Sequence, residues 1–267
     1  PKHDREGGIK VNGSTGIVLV LLPGGELVMG AQRSDRNGPN YDEHAGSSEG
    51  IVGAKLGPFF VSRFELTGGQ WARLAFGALP TALNGAEPGG APDESTSNRP
   101  VGGVSWEDCK LLLTQNGLDL PTEAQWEYAC RAGTPTPWVC VLQQLRSYAN
   151  LADATARRSH PEWRCETWDD RHLLSAPVGS FSPNAFGLHD VHGNVWEWTA
   201  DGLGSQASRP RLGDGLRVSP DNNIPRIVRG GGFHSSADFA RSATRDWWLP
   251  TERRDFLGVR AIRIVQS

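Results

Sequence analysis

Glycine and proline interrupt this chain from end to end: 33 glycines and 18 prolines stand among its 267 residues. Because proline fixes φ and glycine readily adopts positive φ, such a chain turns often and forms short helices and strands. Its longest apolar stretch, residues 17–22, has the length of one strand. The sequence contains no run of about 18 apolar residues, which is the length that a membrane-spanning helix needs. The sequence therefore predicts an α+β domain with much ordered irregular loop and no membrane insertion.

Charge, aromatic and cysteine content narrow the class further. The net charge of −3 gives no reason to expect nucleic acid as a partner. Ten Trp and nine Phe are large apolar groups that a disordered chain does not carry. Nothing at the start of the chain identifies a compartment. The cysteines lack CxxC spacing and predict free buried thiols, with one disulfide left open; they are Cys109, Cys130, Cys140 and Cys165.

Local patterns predict where the elements lie. A Pro-Gly-Gly turn at residues 23–25 predicts that the strands on either side of it pair with each other. Thr67, Ser105 and Thr122 precede helical patterns as N-caps, and Gln125 completes a capping box with Thr122. The chain beyond Gly133 is expected to be irregular for about a hundred residues. The predicted strands are residues 17–22, 26–29, 59–66, 224–230 and 259–265.

The domain organisation is predicted to be simple. Residues 1–16 are polar and indicate a linker or ragged terminus, and residues 17–267 indicate a single domain. Residues 77–100, rich in Gly, Pro, Ala, Asn and Ser, form the longest expected loop. A loop of that length in a compact domain is either functional or mobile.

Two stretches concentrate oxygen ligands of the kind that Ca²⁺ binds. Asp190 and Glu197 flank the turn residues Gly193 and Asn194, so carboxylates and carbonyls could converge there. The alternative is that these acids cap turns. His189 and His192 lack a third ligand at transition-metal spacing. The second stretch consists of Asn150, Asp153, Asp169 and Asp170.

Residues 226–263 concentrate arginine and aromatic residues. The segment holds eight Arg and four acids, and Arg and Trp dominate binding hot spots, so it is the best candidate for a recognition surface. Alternatively the arginines bind groups of the same domain, which we favour for Arg241, Arg245 and Arg260. At least one of Trp247 and Trp248 is expected to face outward. The segment has neither a phosphate-loop ending nor a nucleophile elbow.

Short motifs follow one another in the order of a known family. The chain resembles the formylglycine-generating-enzyme (sulfatase-modifying factor) family, whose fold is a large variant of the C-type lectin fold. The resemblance covers about residues 17–265, and residues 120–123 (Leu-Pro-Thr-Glu) and 193–198 (Gly-Asn-Val-Trp-Glu-Trp) are highly specific together. The other matching motifs are residues 23–25 with 29–30, 60–63 with 65 and 67, 100–101 with 105–106, 124–127, 176–179, 184–192, and 229–231 with 258 and 260.

The resemblance implies two calcium sites that brace the loops. The first would use side-chain oxygens of Asn150 and Asp170 with the carbonyls of Leu151 and His172. The second would use Asp190 and Glu197 with the carbonyls of Gly193 and Val195.

The resemblance also reveals a departure from the catalytic members. Those enzymes carry two cysteines, downstream of the Arg-Gly-Gly motif, that bind copper(I) and react with the substrate cysteine. The corresponding positions here are Ser235 and Ala240. Because a hydroxyl and a methyl cannot replace two soft thiolates, we expect neither copper binding nor formylglycine generation.

The sequence therefore predicts a non-enzymatic domain that presents a binding surface to a protein or another macromolecule. Relatives without the two cysteines include bacterial ligand-binding domains and the variable proteins of diversity-generating retroelements, in which solvent-facing positions are diversified. The alternative is an oxidoreductase of the same fold that needs no cysteine pair, of the pyoverdine-tailoring type. The expected ligand-binding positions are His234, Ser235, Ser236, Asp238, Phe239, Thr244, Asp246, Trp247, Trp248, Thr251, Glu252, Asp255 and Phe256.

Overall fold

The computed structural model describes residues 2–3, 9–12, 14–75, 96–204, 208–217 and 224–265. The helices are α1 (Gly68–Leu74), α2 (Trp106–Gln115), α3 (Glu123–Arg131) and α4 (Ala154–Ser159), with 3₁₀ turns at Ser47–Glu49, Leu142–Ser147 and Ala237–Ala240. The strands are β1 (Lys2–His3), β2 (Ile9–Lys10), β3 (Leu19–Leu22), β4 (Gly25–Met29), β5 (Val52–Leu56), β6 (Phe59–Ser62), β7 (Ala149–Asn150), β8 (His192–Gly193), β9 (Trp196–Gly202), β10 (Arg226–Arg229), β11 (Asp246–Trp248), β12 (Leu257–Gly258) and β13 (Ile262–Ile264).

The strands form several small sheets rather than one large sheet. The largest has the order β11-β10-β9-β12, with β12 parallel to β9 and the other pairs antiparallel. A second sheet has the order β13-β6-β3, and β4 pairs with β5. The pairs β1-β2 and β7-β8 hold two residues on each strand. Short elements with long irregular connections confirm the α+β prediction.

The predicted pairing across residues 23–25 is wrong. β3 pairs with β6 in one sheet, whereas β4 pairs with β5 in another. The two glycines of the turn have positive φ, and a Cβ on Gly24 would lie 2.4 Å from the carbonyl oxygen of Gly57. The turn therefore carries the chain across another backbone segment and into a new sheet.

The predicted helix starts are confirmed. The side chains of Thr67, Ser105 and Thr122 each accept a hydrogen bond from the backbone N–H three residues later. In each case the side chain of that later residue accepts a hydrogen bond from the backbone N–H of the cap residue. Such reciprocal capping boxes satisfy backbone N–H groups that the first helical turn leaves unpaired.

The helices pack on the sheets through two apolar clusters. Leu113 of α2 lies in one cluster with Trp198 of β9 and Leu257 of β12. Trp126 of α3 lies in the other with Phe59 of β6 and strands β4 and β5. Among the described residues, no helix is long and apolar enough to span a membrane.

The structure describes part of the expected linker, residues 1–16, and only a small part of the expected loop, residues 77–100. Within the expected linker, residues 2–3 pair with residues 9–10, and the carbonyl of Thr15 accepts a 2.6 Å hydrogen bond from Arg73 of α1. The end of this stretch is therefore attached to the domain. Most of the expected 77–100 loop lies outside the described residues.

Candidate functional site

Arginines of the C-terminal segment bind acids from distant parts of the same chain. Arg241 donates to Asp42 at 2.6 Å and to Glu49 at 2.8 Å. Arg245 donates to Glu123 at 2.6 Å. The ion pair of Arg260 with Glu197, at 2.7 Å, is buried on both sides. The expectation that these three arginines bind within the domain is confirmed.

The expected ligand-binding positions divide into three groups by exposure. Exposed positions are Phe239, Trp247, Thr251 and Asp255, and partly exposed ones are His234, Asp238, Asp246, Trp248, Glu252 and Phe256. The expected solvent exposure is wrong for Ser235, Ser236 and Thr244, which are at most 6% exposed. Two of these hydroxyls serve the local fold, since Ser235 Oγ accepts from the N–H of Gly232 and Thr244 Oγ1 donates to the carbonyl of Asp238.

The two adjacent tryptophans face opposite sides of β11, as neighbouring residues on a strand do. Trp247 is 50% exposed, which confirms the expectation that at least one of the pair faces outward. Trp248 packs against the apolar cluster that contains Leu113 of α2, and its ring centroid lies 5.5 Å from that of Phe256.

A row of aromatic rings continues from Trp248 across segments that are distant in sequence. We call His160, Trp163, His234, Phe256 and Trp248 the aromatic row. The ring centroids of His160 and Trp163, which stack, are 4.0 Å apart, and those of Trp163 and His234, which meet edge-on, are 5.9 Å apart. The ring centroids of His234 and Phe256 are 4.2 Å apart. The sequence prediction missed His160 and Trp163, because no local pattern connects them with residues 234–256.

Of the ten buried side-chain polar atoms that lack a hydrogen-bond partner among the described residues, five belong to sites expected from the sequence. His234 Nδ1, Ser236 Oγ and Trp248 Nε1 belong to the expected binding segment. Asn150 Oδ1 and Asp190 Oδ1 belong to the two expected calcium sites. Unpaired buried polar atoms are rare in folded proteins and call for an explanation, such as an ion, a water molecule or a ligand.

The first oxygen cluster joins β7 to the segment after α4. Asn150 is fully buried, and its Nδ2 donates to the carbonyl of Leu174 and to Asn194 Oδ1, both at 3.0 Å. The Asp170 carboxylate accepts from the N–H of Leu151 at 3.1 Å. Burial is the main reason that the pKa of Asp170 rises to about 7. The structure thus places Asp170 beside Asn150, one of whose oxygens is unpaired.

The second oxygen cluster contains Asp190, Glu197 and Glu65 around Arg260. Both Glu197 oxygens accept from Arg260 Nε, at 3.0 and 3.1 Å. Burial and the charges of Asp190 and Glu197 raise the pKa of Glu65, and burial raises the pKa of Asp190 to about 7. Three buried carboxyl groups therefore face one guanidinium, which favours either protonation or an added cation.

The two oxygen clusters adjoin through Gly193. β7 and β8 pair Asn150 with Gly193, and a Cβ on Gly193 would lie 2.1 Å from the carbonyl oxygen of Asn150. Within the described part of the chain, no three His, Cys, Asp or Glu side chains form a metal-binding group. Each expected calcium site has at most two such side chains, together with backbone carbonyls.

Comparison with known proteins places the chain in a family. The family model for the sulfatase-modifying factor enzyme 1-like domain matches residues 10–265. The chain belongs to this family. Formylglycine-generating enzyme of Thermomonospora curvata is 30% identical over 274 residues, which cover 80% of this chain and 82% of the relative. "Inactive C-alpha-formylglycine-generating enzyme 2" of Mus musculus is 34% identical over 170 residues, which cover 60% of this chain and 48% of the relative.

Solved structures share the family fold over nearly the whole chain. PvdO from Pseudomonas aeruginosa matches with a TM-score of 0.75 at 24% identity, covering 96% of this chain and all of that one. Treponema denticola variable protein 1 matches with a TM-score of 0.66 at 20% identity, covering 92% and 94%. The C-type-lectin-like fold of the formylglycine-generating-enzyme type is thereby confirmed, in a family with both active and inactive members.

Ser235 and Ala240, which the sequence resemblance matches to the two cysteines of the catalytic members, are closely packed, thiol-free residues. Ser235 is 6% exposed and Ala240 is fully buried. A Cβ on Gly231 would lie 3.1 Å from the Cα of Ala240. Cys130, whose Sγ lies 3.6 Å from Ser242 Oγ, is also buried, and burial raises its pKa to about 12. It therefore does not supply a thiolate at neutral pH.

We expect His234 to make stability depend on pH. Burial lowers the pKa of His234 to about 4, against the opposing charge of Asp255. Because an unfolded His titrates near 6.5, the unfolded state binds one more proton between pH 6.5 and 4, and the free energy of unfolding falls as pH decreases there. His234→Phe should reduce this slope by up to about 1.4 kcal/mol per pH unit.

Urea unfolding of both proteins between pH 4.5 and 7.5 measures this difference. His192, whose pKa burial also lowers to about 4, is present in both proteins and cancels in the comparison. Parallel pH profiles would contradict a lowered pKa of His234 in the folded protein.

Proposed function

We propose that this domain is a non-enzymatic binding module that presents its C-terminal segment to a macromolecular ligand. The observation that carries the proposal is the pair Ser235 and Ala240 at the positions where the catalytic relatives need two thiolates. The exposed side chains of Phe239 and Trp247, each 50% accessible, give the same segment a surface for recognition. Arg241, Arg245 and Arg260 then serve to hold that segment on the domain.

Metal analysis tests the proposal against an oxidoreductase of the same fold. The domain should be expressed with iron, copper and calcium in the medium, purified without chelator and measured by mass spectrometry of its metals. We expect less than stoichiometric iron and copper. Either metal at one equivalent would favour the enzyme and contradict the proposal.

Trp247 is the side chain that we expect to contribute most to ligand affinity. Truncating a Trp that becomes buried in an interface costs on the order of 2 kcal/mol, or about thirtyfold in Kd. Trp247→Ala should lower the affinity for a partner of the C-terminal surface by that factor without changing the melting temperature. Leu111→Ala, at a position 62% exposed on α2, is the matched control. Equal affinities for both variants would place the interface elsewhere.

We further propose that the exposed positions of this segment tolerate diversification. Phe239, Trp247, Thr251 and Asp255 face solvent, so their replacement leaves the core unchanged. The buried positions Ser235, Ser236 and Thr244 do not fit that role, despite the sequence prediction. A template repeat beside the gene, differing from it mainly where the template has adenines, would support a retroelement. Its absence from the neighbourhood of the gene would contradict this part of the proposal.

We propose that the two oxygen clusters bind structural calcium. Asn150 Oδ1 and Asp190 Oδ1 are buried oxygens without a partner, one in each cluster, and amide and carboxylate oxygens are ligands that Ca²⁺ prefers. Asp170 would complete the first site, with the carbonyls of Leu151 and His172. In the second, Glu197 already pairs with Arg260, so Asp190 and the carbonyls of Gly193 and Val195 would contribute most.

Removing calcium should lower the melting temperature by about 5 °C or more, because an ion that binds only the folded state stabilises it. Asp170→Asn and Asp190→Asn should each reduce this sensitivity to a chelator. Asp169→Asn is the control, since that side chain is exposed next to the first cluster. Glu197 is unsuitable as a test, because its loss would leave Arg260 unpaired with or without calcium. Melting curves that a chelator leaves unchanged would contradict calcium binding.

A further inference from the structure

The strand β4 belongs to a two-stranded sheet, so only one of its edges pairs with a neighbouring strand. On the other edge, side chains take the place of a strand: the carbonyl of Val28 accepts from Asn40 Nδ2 at 2.6 Å, and the N–H of Gly30 donates to Glu127 at 2.7 Å. Main-chain groups of an antiparallel strand alternate between its two edges from one residue to the next. The N–H and C=O of Glu26, two residues before Val28, therefore face this second edge as well.

Three main-chain groups on the second edge have no partner in the described part of the chain. They are the N–H and the C=O of Glu26 and the N–H of Val28. The edge is closed on either side of them, because Tyr128 donates to the carbonyl of Gly24 at 2.6 Å and Asn40 occupies the carbonyl of Val28. A donor, an acceptor and a donor thus remain in a row.

This stretch of edge lines an open cleft between β4 and the end of α3. Val28 is 43% exposed, and Glu26 is also exposed, so a ligand can reach both residues. The cleft has a volume of about 180 Å³, which is far too small for a helix of about 10 Å diameter. An extended chain, by contrast, lies only about 4.8 Å from the strand that it pairs with. The facing wall consists of Tyr128, Arg131, Gly133, Thr134 and Pro135.

Glu26 gives the cleft a free negative charge. Its exposed carboxylate forms no ion pair with any described side chain, although Lys55 lies opposite it on β5. Arg131, the other charged side chain in the cleft, already binds Glu127 at 2.7 Å. A basic side chain on an added strand would therefore complement Glu26.

We propose that β4 takes up an extended, basic segment of a partner protein as an added strand. The segment's carbonyls would accept from the N–H groups of Glu26 and Val28, one of its N–H groups would donate to the carbonyl of Glu26, and a Lys or Arg would meet the Glu26 carboxylate. In this mode of recognition the main chain supplies affinity and the side chains supply specificity. The site goes beyond the proposed function, since none of its residues lies in the C-terminal segment.

Amide hydrogen exchange of the whole domain, followed by NMR, tests the proposal. In the free domain the amides of Glu26 and Val28 should exchange at least about tenfold faster than those of Leu27 and Met29, which face β5. The probe is the acetylated and amidated hexapeptide Thr-Val-Lys-Val-Thr-Val. Its addition should slow exchange at Glu26 and Val28 by at least about tenfold and leave Met29 unchanged.

Two altered peptides separate main-chain pairing from charge. N-methylation of alternate residues blocks pairing along one edge of the peptide, and the two peptides methylated in the two alternate registers should each lose the protection. Replacing the central Lys with Glu should weaken binding about threefold, since the pair with Glu26 is exposed. Both comparisons use the unaltered domain.

Val28→Pro removes an N–H from the open edge but none of the bonds to β5, and proline is tolerated at strand edges. It should weaken binding of the Lys peptide at least about fivefold, because one of three main-chain bonds is lost. Val28→Thr keeps the N–H and is the matched control, with an affinity within about twofold of the original. If Val28→Pro does not fold, the methylated peptides test the same bonds from the other side.

The outcomes separate this inference from the main proposal. Unchanged exchange at Glu26 and Val28 with the Lys peptide present, or equal protection by the methylated peptides, would overturn the strand site. The charge of Glu26 would then serve to keep other strands away from an open edge. A macromolecular ligand whose affinity falls in Trp247→Ala would leave the main proposal standing in either case.

Discussion

Replacing Arg229 with methionine should lower the free energy of unfolding by about 3–5 kcal/mol. Arg229 is fully buried, and its guanidinium donates to Glu127 and to the carbonyls of Ser242, Ala243 and Thr244. Methionine has a similar length but no donor, so it leaves Glu127 without this partner and three carbonyls without their hydrogen bonds. Arg131 still binds the other oxygen of Glu127, so the expected cost comes from one carboxylate oxygen and three carbonyls that lose their donors in the interior, and buried acceptors without donors cost far more than the loss of an exposed ion pair.

Urea unfolding of matched variants measures the effect. Arg253→Met is the control, since Arg253 pairs with Asp108 at the surface, where the two side chains are 45% and 30% exposed. Its loss should cost less than about 1 kcal/mol. Arg229→Lys should fall between the two, because an ammonium retains the charge but cannot direct donors at four acceptors. Equal losses for the two methionine variants would contradict the framework role of Arg229.

The internal pairing of the arginines was easier to predict from the sequence than the solvent exposure of the expected ligand-binding positions. An arginine in a loop-rich domain of low net charge has many internal carbonyls and carboxylates to bind, so internal pairing was the favoured expectation for Arg241, Arg245 and Arg260. Exposure depends instead on how a segment turns. Ser235 and Thr244 are polar, yet their hydroxyls satisfy backbone groups inside the fold. Residue type alone therefore could not separate buried positions from exposed ones.

Helix starts were predictable because their determinants are local. A capping box needs only residues three apart, and the predicted box of Thr122 with Gln125 is present, as is the predicted N-cap Ser105. Strand pairing is not local. The Pro-Gly-Gly turn at residues 23–25 has the composition of a hairpin turn, but the partners of β3 and β4 are β6 and β5. The approach of Gly24 to Gly57 that separates them arises from tertiary packing.

The seven-residue strand β9 and the aromatic row show a second limit of sequence reasoning. Trp196–Gly202 alternates apolar and polar residues, but it lies in a region that the turn residues marked as irregular. Its polar face is buried, where Glu197 pairs with Arg260 and Asp201 accepts from the N–H of Glu123. His160 and Trp163 lie beside residues 234–256 through contacts between segments distant in sequence, among them Arg164 with Asp238 and Glu166 with the N–H of Ala237. No spacing along the chain carries that information.

The largest functional effect that we expect is the complete absence of formylglycine formation. Incubation with copper, oxygen and a cysteine-containing sulfatase-type peptide should give no product above a protein-free control. Ser235 and Ala240 supply no thiolate, and Cys130 is a buried thiol whose pKa rises to about 12. Enzymes typically accelerate their reactions at least about 10⁶-fold, so a working active site would be evident against that background.

Mass spectrometry of the peptide provides the measurement, since conversion of cysteine to formylglycine changes its mass. An active formylglycine-generating enzyme, such as the Thermomonospora curvata relative, serves as the positive control under identical conditions. A Cys130→Ala variant tests whether any residual conversion uses the buried thiol. Formylglycine produced by this domain at a rate near that of the control enzyme would show that the family's chemistry does not need thiolates at positions 235 and 240, and the binding-module proposal would fall with that result.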